Sequence, residues 1–251
     1  RTFRSRAGQT LLWGGYPALL TLPDELERRA WLRDYRRTYL ERDLPDLGRV
    51  ADVTKFIQAL NLMAARTGQI LSYSALARDL GLAPNSAHRY VRFMELSFQV
   101  TLLRPYLPNP SKRFVKAPKA YWTDVGLARV LSGRGDPGDG HLYETYVVNE
   151  MVKWRSWQDE PPDIFFFRTH GGSEVDLILA GRGRLLAVEC KASEHAHRTD
   201  GRSLLRFLRE AAAKEGGAVP LGLVVYRGRE VVQLAHEVWA VPDWLLFSAA
   251  P

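Results

Sequence analysis

A single cysteine in 251 residues excludes a disulfide framework and any cysteine-rich zinc module. No stretch reaches the ~18 apolar residues of a membrane-spanning helix. The opening Arg1-Thr2-Phe3-Arg4-Ser5-Arg6 leads into no apolar signal region. A cytoplasmic protein with no membrane partner is therefore expected. No Gly-Lys dipeptide occurs, so there is no G-x-x-x-x-G-K-[ST] loop and no cofactor-binding residue is assigned. Internal repeats and low-complexity tracts are lacking too. Lysine is scarce, 7 against 28 arginines, so arginine carries most of the positive charge.

What is present divides unevenly. Residues 1–139 hold 22 Lys and Arg against 13 Asp and Glu; residues 140–251 hold 13 against 15. The whole basic excess lies in the first part, which points to a polyanion partner there, since Lys and Arg displace counterions from phosphates. The break coincides with Leu131 to Gly140, where four glycines and a proline preclude a helix or central strand. The reading is a helical linker or lid region over 1–70, a winged helix-turn-helix over 71–131, a linker over 132–140 and a further domain over 141–251.

Apolar spacing predicts helices over 24–47 and 52–67, the second capped by Asp52 or Thr54 and stopped by Gly68. Ser74 is expected to cap a short helix through Leu80, with Gly81 in the turn. Asn85 or Ser86 then caps a longer helix. Helix, glycine-bearing turn and helix form the helix-turn-helix pattern. A strand over 98–103, a proline-bounded basic hairpin over 108–119 and an extended return at Tyr121-Trp122 complete a wing. The residue types that reach phosphates and base edges are Asn85, Ser86, His88, Arg89 and Arg92 on the second helix, and Lys112, Arg113, Lys116 and Lys119 on the wing. DNA is the expected partner. A helical hairpin docked on a neighbouring domain is the alternative.

In the acidic part, 141–157 reads as a helix that turns Glu144 toward the interior, where a lone carboxylate needs a partner. Three strands follow: 164–168, 174–180 and 185–191. A tight turn that sets Gly181 opposite Arg184 also sets Asp176 opposite Glu189 and Glu174 opposite Lys191. Facing carboxylates repel unless a cation lies between them. Mg²⁺ or Mn²⁺ held by Asp176, Glu189 and the Cys190 carbonyl, with Glu144 helping, suits such a pair. Lys191 emerges beside Glu189 and is placed to orient water or neutralise developing charge. The candidate catalytic set is Glu144, Asp176, Glu189 and Lys191, and the chemistry is metal-assisted phosphodiester hydrolysis. A solvated hairpin tip with a Glu–Lys pair is the bland alternative. Cys190 alternates away from Glu189 and Lys191 and reads as core. His195-Ala196-His197 lacks a third metal ligand. Trp122, Trp154, Trp157 and Trp244 read as packing residues.

Helical Glu144, then Glu174-Val175-Asp176, then Glu189-Cys190-Lys191, in the order helix–strand–strand–strand, resembles the PD-(D/E)xK nuclease superfamily. Over nearly all 251 residues the chain is similar to the C-terminal part of prokaryotic AAA-type ATPases that carry a C-terminal domain of unknown function. The matching pieces include Gly14-Gly15-Tyr16-Pro17, the stretch from Tyr35 to Leu44, Leu76 to Gly81, Lys112 to Lys119, Tyr121 to Leu127, Glu144, Glu150, Glu174 to Asp176 and Glu189 to Lys191. The resemblance implies an α+β or α/β fold: a helical and winged helix-turn-helix N-terminal part, then a restriction-endonuclease-like mixed sheet flanked by helices. It also implies a preceding P-loop ATPase domain, or homologous subunits, as partner, with ATP bound only there. The expected function is a DNA-binding C-terminal region with a metal-dependent, nuclease-like phosphodiesterase domain. The alternative is a non-catalytic DNA-binding or assembly module with a relic nuclease fold.

Overall fold

The computed structural model describes residues 2–38, 52–107, 116–133, 139–169, 171–214 and 220–248. Helices α1 (Thr2–Trp13), α2 (Ala18–Thr21) and α3 (Glu25–Thr38) open the chain. Glu25 and Glu27 in the first turn of α3 and Arg36 and Arg37 in its last complement the helix dipole. Helix α4 (Val53–Ala65) is capped by Asp52, which accepts the Lys55 N–H at 2.9 Å. The short strand β1 (Gln69–Ile70) follows.

Helix α5 (Tyr73–Leu80) is capped by Ser72, not by the expected Ser74. It ends on Gly81, whose φ of +60° suits a residue without Cβ. Helix α6 (Pro84–Leu96) begins ahead of the expected Asn85 or Ser86 cap, because a proline at the first helical position already has helical φ. Phe98 takes φ +59° in the turn after α6, so β2 (Val100–Pro105) starts later than the expected 98–103 strand. It pairs antiparallel with β3 (Lys119–Trp122), Val100 opposite Trp122 and Leu103 opposite Lys119. The tip of the expected hairpin, 108–115, lies outside the described residues, as does 39–47 of the first expected helix.

Helix α7 (Val125–Ser132) locks the N-terminal helices in place. Asp124 caps it through the Leu127 N–H at 2.8 Å and also accepts the Gly15 N–H at 2.7 Å. The Gly14-Gly15 and Asp124-Val125-Gly126 motifs are therefore two halves of one contact. A Cβ on Gly126 would lie 2.0 Å from the Trp13 carbonyl oxygen. Gly126→Ala is accordingly expected to destabilise the chain by about 1–3 kcal/mol, as overpacking does. Thermal melts followed by circular dichroism check this. A wild-type melting temperature in the variant would contradict it.

Helix α8 (Gly140–Ser156) starts on Asp139, which accepts the His141 and Leu142 N–H groups. Then come β4 (Asp163–Arg168), β5 (Glu174–Gly181), β6 (Arg184–Lys191), a 3-10 turn at Arg198–Gly201 and α9 (Arg202–Lys214). Strands β7 (Pro220–Tyr226), β8 (Val232–Ala235) and β9 (Val238–Pro242) and helix α10 (Asp243–Ser248) end the chain.

Among the described residues all nine strands form one mixed sheet, ordered β1-β3-β2-β4-β5-β6-β7-β9-β8. Strand β2 runs parallel to β4, Arg104 opposite Phe165, so strands from both sides of the Gly/Pro-rich stretch are hydrogen-bonded neighbours. Helix α8 covers one face, packing Leu142, Tyr143, Val147 and Val148 with Leu177, Leu179, Val188 and Val225. That core continues into Phe56, Leu60, Tyr90 and Trp122. Helix α9 covers the other face, setting Leu204, Phe207 and Leu208 on Val175, Ile178, Ala187 and Val224. The molecule is a mixed α/β structure with a large sheet flanked by helices. Trp122 packs as expected, whereas Trp157 is 76% exposed and Trp154 45%. No helix among the described residues is long and apolar enough to cross a membrane.

Candidate active site

The β5–β6 hairpin has the register that the turn residues dictate. Gly181 faces Arg184, and Arg182 and Gly183 both take positive φ, as a two-residue type I′ turn requires. The pairing runs down to Leu177 opposite Val188. The next pair, Asp176 with Glu189, is not part of the ladder, and Glu174 does not face Lys191 as expected. The cause lies on the other edge of β5. Phe165 pairs with Ile178 and Phe167 with Val175, so β5 carries one extra residue there. Val175 consequently packs on the α9 side and Leu177 on the α8 side, although strict alternation would give them one face. Bulges of this kind re-aim side chains. Here the bulge places the Asp176 carboxylate where Oδ1 is 3.7 Å from Lys119 Nζ and Oδ2 accepts the Cys190 N–H at 2.9 Å.

Lys119 is the main correction to the sequence reading. It was expected on the basic wing against DNA; it is 3% exposed instead. Its ammonium donates to Glu144 Oε1 at 2.7 Å, forms an ion pair with Glu174 and approaches Asp176. Tyr121, two residues on along β3, donates its hydroxyl to the same Glu144 oxygen at 2.6 Å. The partner that a buried Glu144 requires is thus a lysine and a tyrosine from β3. Glu144 Oε1 holds these two donors, so its expected role as a metal ligand falls to Oε2, 4.0 Å from His141 Nδ1. The sequence did carry a clue: Lys119 and Tyr121 alternate on one short strand, between Pro118 and a capping Asp124.

Glu189 and Lys191 lie on the other side of Asp176. Lys191 Nζ donates to Glu189 Oε1 at 2.9 Å. Glu189 Oε2 is buried and has no hydrogen-bond partner. Cys190 packs toward the α8 core, as expected. Burial, reinforced by Asp176, Glu144 and Glu189, pushes its thiol up, which leaves it protonated and inert. It meets Asp176 through its amide, while along the β6–β7 ladder it sits opposite Val225.

The charges do not balance. Glu144, Glu174, Asp176 and Glu189 stand against Lys119, Lys191 and the half-exposed Arg168, 3.6 Å from Glu174. Burial alone would drive Lys119 down, but Glu144, Asp176 and Glu174 reverse this and hold it charged. The shortage of positive charge falls on the carboxylates. Burial, then the Asp176 charge, pushes Glu189 up to about 7 against the pull of Lys191. The same two causes push Glu144 up to about 8 against Lys119 and Tyr121. Asp176 is also raised, chiefly by burial.

The donor set suits a hard divalent cation. All its side-chain donors are carboxylate oxygens, one buried oxygen is unpartnered, and with every group ionised four carboxylates outnumber three cations. No group of three or more His, Cys, Asp or Glu side chains converges as a ready ligand set among the described residues. Mg²⁺ commonly needs only one or two protein carboxylates, with water and substrate phosphate filling the rest.

Most of the described residues assigned to DNA lie on α6. Asn85, His88, Arg89 and Arg92 are exposed on α6, and Ser86 is half-exposed beside Arg89, whose guanidinium donates to it at 3.3 Å. Lys116 is exposed just before β3. Lys112 and Arg113 lie outside the described residues. Lys119 belongs to the acidic cluster.

A family model described as "Domain of unknown function (DUF8612)" matches residues 5–138, and one described as "Domain of unknown function (DUF4143)" matches residues 139–246. The two meet within the Gly/Pro-rich stretch. The chain is similar to the uncharacterized protein Rv2008c of Mycobacterium tuberculosis and to the uncharacterized protein Mb2031c of Mycobacterium bovis. Each is 31% identical over 249 residues, covering 95% of this chain and 53% of the relative. The chain spans about half the length of the curated relatives it matches. With more than half of its residues under the first model, the chain belongs to the DUF8612 family and carries a DUF4143 match after it.

Proposed function

We propose that the chain is a divalent-metal-dependent phosphodiester hydrolase of DNA, with Asp176 and Glu189 holding one Mg²⁺ or Mn²⁺ ion. The observation that carries this reading is the buried, unpartnered Glu189 Oε2 beside Asp176. An orphaned buried carboxylate oxygen costs several kcal/mol unless a cation or a proton meets it, and burial beside Asp176 makes a divalent cation the fuller remedy once the group ionises. A bound divalent ion supplies Lewis acidity and lowers the pKa of a water. Lys191, anchored on Glu189 and one-third exposed, presents its ammonium to a phosphate oxygen and stabilises charge that develops there. Glu144 acts at one remove: with Tyr121 it fixes Lys119, and Lys119 holds Asp176 in place.

The element order supports a finer fold assignment. Strands β4 to β7 with α8 and α9 form a restriction-endonuclease-like core, and α5, Gly81, α6, β2 and β3 form a winged helix-turn-helix that grips DNA. The resemblance to the C-terminal part of AAA-type ATPases supports a partner ATPase domain.

Incubating the chain with supercoiled and linear DNA plus Mn²⁺ tests the reading. Cleavage by wild type and none by Asp176→Ala is expected. No cleavage by wild type, or equal cleavage by both, contradicts it. One observation favours a second reading, a relic site without turnover: the Lys119 ammonium already lies among Glu144, Glu174 and Asp176 as an internal cation. That reading requires folding and DNA binding to persist with no affinity for Mn²⁺.

A further inference from the structure

An open groove of about 980 Å³ runs between α6 and the segment formed by β2 and residues 116–118. Helix α6 contributes His88, Arg89 and Arg92 to one wall; Arg104 of β2 and Lys116 line the other. Glu95 is the one acid among these lining residues. At the groove floor Tyr73, half-buried against the core, stacks flat on the exposed His88, with centroids 3.7 Å apart and planes 15° apart. Two residues separate Lys116 in the groove from Lys119 in the carboxylate cluster, three steps or about 10 Å of extended chain. The groove and the candidate active site are therefore joined through the short segment that enters β3.

We propose that this groove binds an unpaired nucleic-acid strand and leads it to the carboxylates of β5 and β6. A helix that reads duplex DNA projects from a convex surface into a major groove about 12 Å wide. Arg89 and Arg92 instead line a groove that α6 shares with β2 and residues 116–118. Cations along a trough track a sugar-phosphate backbone, and a flat ring on a rigid support stacks a base. Face stacking requires a base freed from its pair. The chemistry fits a single strand, an overhang or a frayed end. The destination of the strand rests on the function proposed above; binding in the groove does not.

The test is fluorescence anisotropy with the full 251-residue chain in EDTA, using a labelled homopyrimidine strand and the matching duplex. The single strand is expected to bind about tenfold or more tightly than the duplex. His88→Ala is expected to weaken single-strand binding about fivefold or more, and His88→Phe to retain it, because a base stacks on either ring. Arg92→Glu with Lys116→Glu is expected to weaken binding about tenfold or more and flatten its salt dependence. Equal or tighter duplex binding, indifference to His88→Ala, or equal competition by polyglutamate overturns the proposal. Because EDTA removes any cleavage, the two readings fail separately. Binding without Mn²⁺-dependent cleavage overturns the active site alone, and cleavage that survives loss of groove binding overturns the delivery of the strand from groove to carboxylates alone.

Discussion

Replacing Lys119 by methionine lowers the melting temperature of the metal-free chain by on the order of 10 °C at about pH 8 and by much less at about pH 5. The side chain is almost fully buried, and its ammonium meets Glu144, Glu174 and Asp176. Methionine fills similar space, so the loss is one of charge. Removing one partner of a buried ion pair costs about 3–5 kcal/mol, because the remaining charge stays in a medium that cannot solvate it. At about pH 5 the carboxylates escape that cost by taking protons. Calorimetry at the two pH values in EDTA checks this. An equal drop at both would show that Lys119 contributes packing rather than charge.

The wild-type chain without metal loses stability as pH rises from about 5 to 8.5, and Mn²⁺ removes much of that loss. The sign follows from linkage. Glu189 is raised from 4.5 to about 7 and Glu144 from 4.5 to about 8, so between those values the folded state holds protons that the unfolded state has released. Stability then falls with pH. The contribution is fully present below the unfolded pKa and lost as pH rises through the folded one. Glu189 alone contributes about 3 kcal/mol at 1.36 kcal/mol per pKa unit. A divalent ion binds the ionised carboxylates and competes with their protons, so its stabilising effect grows with pH. Melting temperatures over this range, with EDTA and with Mn²⁺, give both curves. Parallel curves would mean that Mn²⁺ does not reach Glu189 and Asp176.

The β5–β6 register was legible because two residues, Arg182 and Gly183, fix it, and everything from Gly181 to Leu177 follows by counting. The Asp176 bulge was not legible, because its cause is the pairing of β5 with β4, and no spacing within β5 reveals it. Helix α4 was legible from apolar spacing and its Asp52 cap, and α8 from apolar spacing alone. The caps of α5 and α6 were misplaced by two or three residues because Ser72, Ser74, Asn85 and Ser86 are all chemically able to cap, and only Pro84 and the geometry choose. Lys119 misled for a general reason. A lysine in a run with Lys112, Arg113 and Lys116 reads as one more solvated cation. Its burial depends on Glu144, 25 positions away, and on Glu174 and Asp176, brought close only by the sheet. The Glu144, Asp176, Glu189 and Lys191 set was recognised by residue type and order. That Lys119 and Tyr121 hold Glu144 while Lys191 holds Glu189 emerges only in three dimensions.

The central claim is that Asp176 and Glu189 form a metal site beside a fixed lysine, and a Mn²⁺ titration followed by electron paramagnetic resonance at about pH 8 tests it most directly. Free Mn²⁺ gives the signal, and bound ion removes it. The account predicts one Mn²⁺ per wild-type chain, loss of that site in Glu189→Gln and in Asp176→Asn, and its retention in Glu144→Gln, whose Oε1 serves Lys119 and Tyr121. No Mn²⁺ bound by the folded wild-type chain, or undiminished binding by Glu189→Gln, would contradict it.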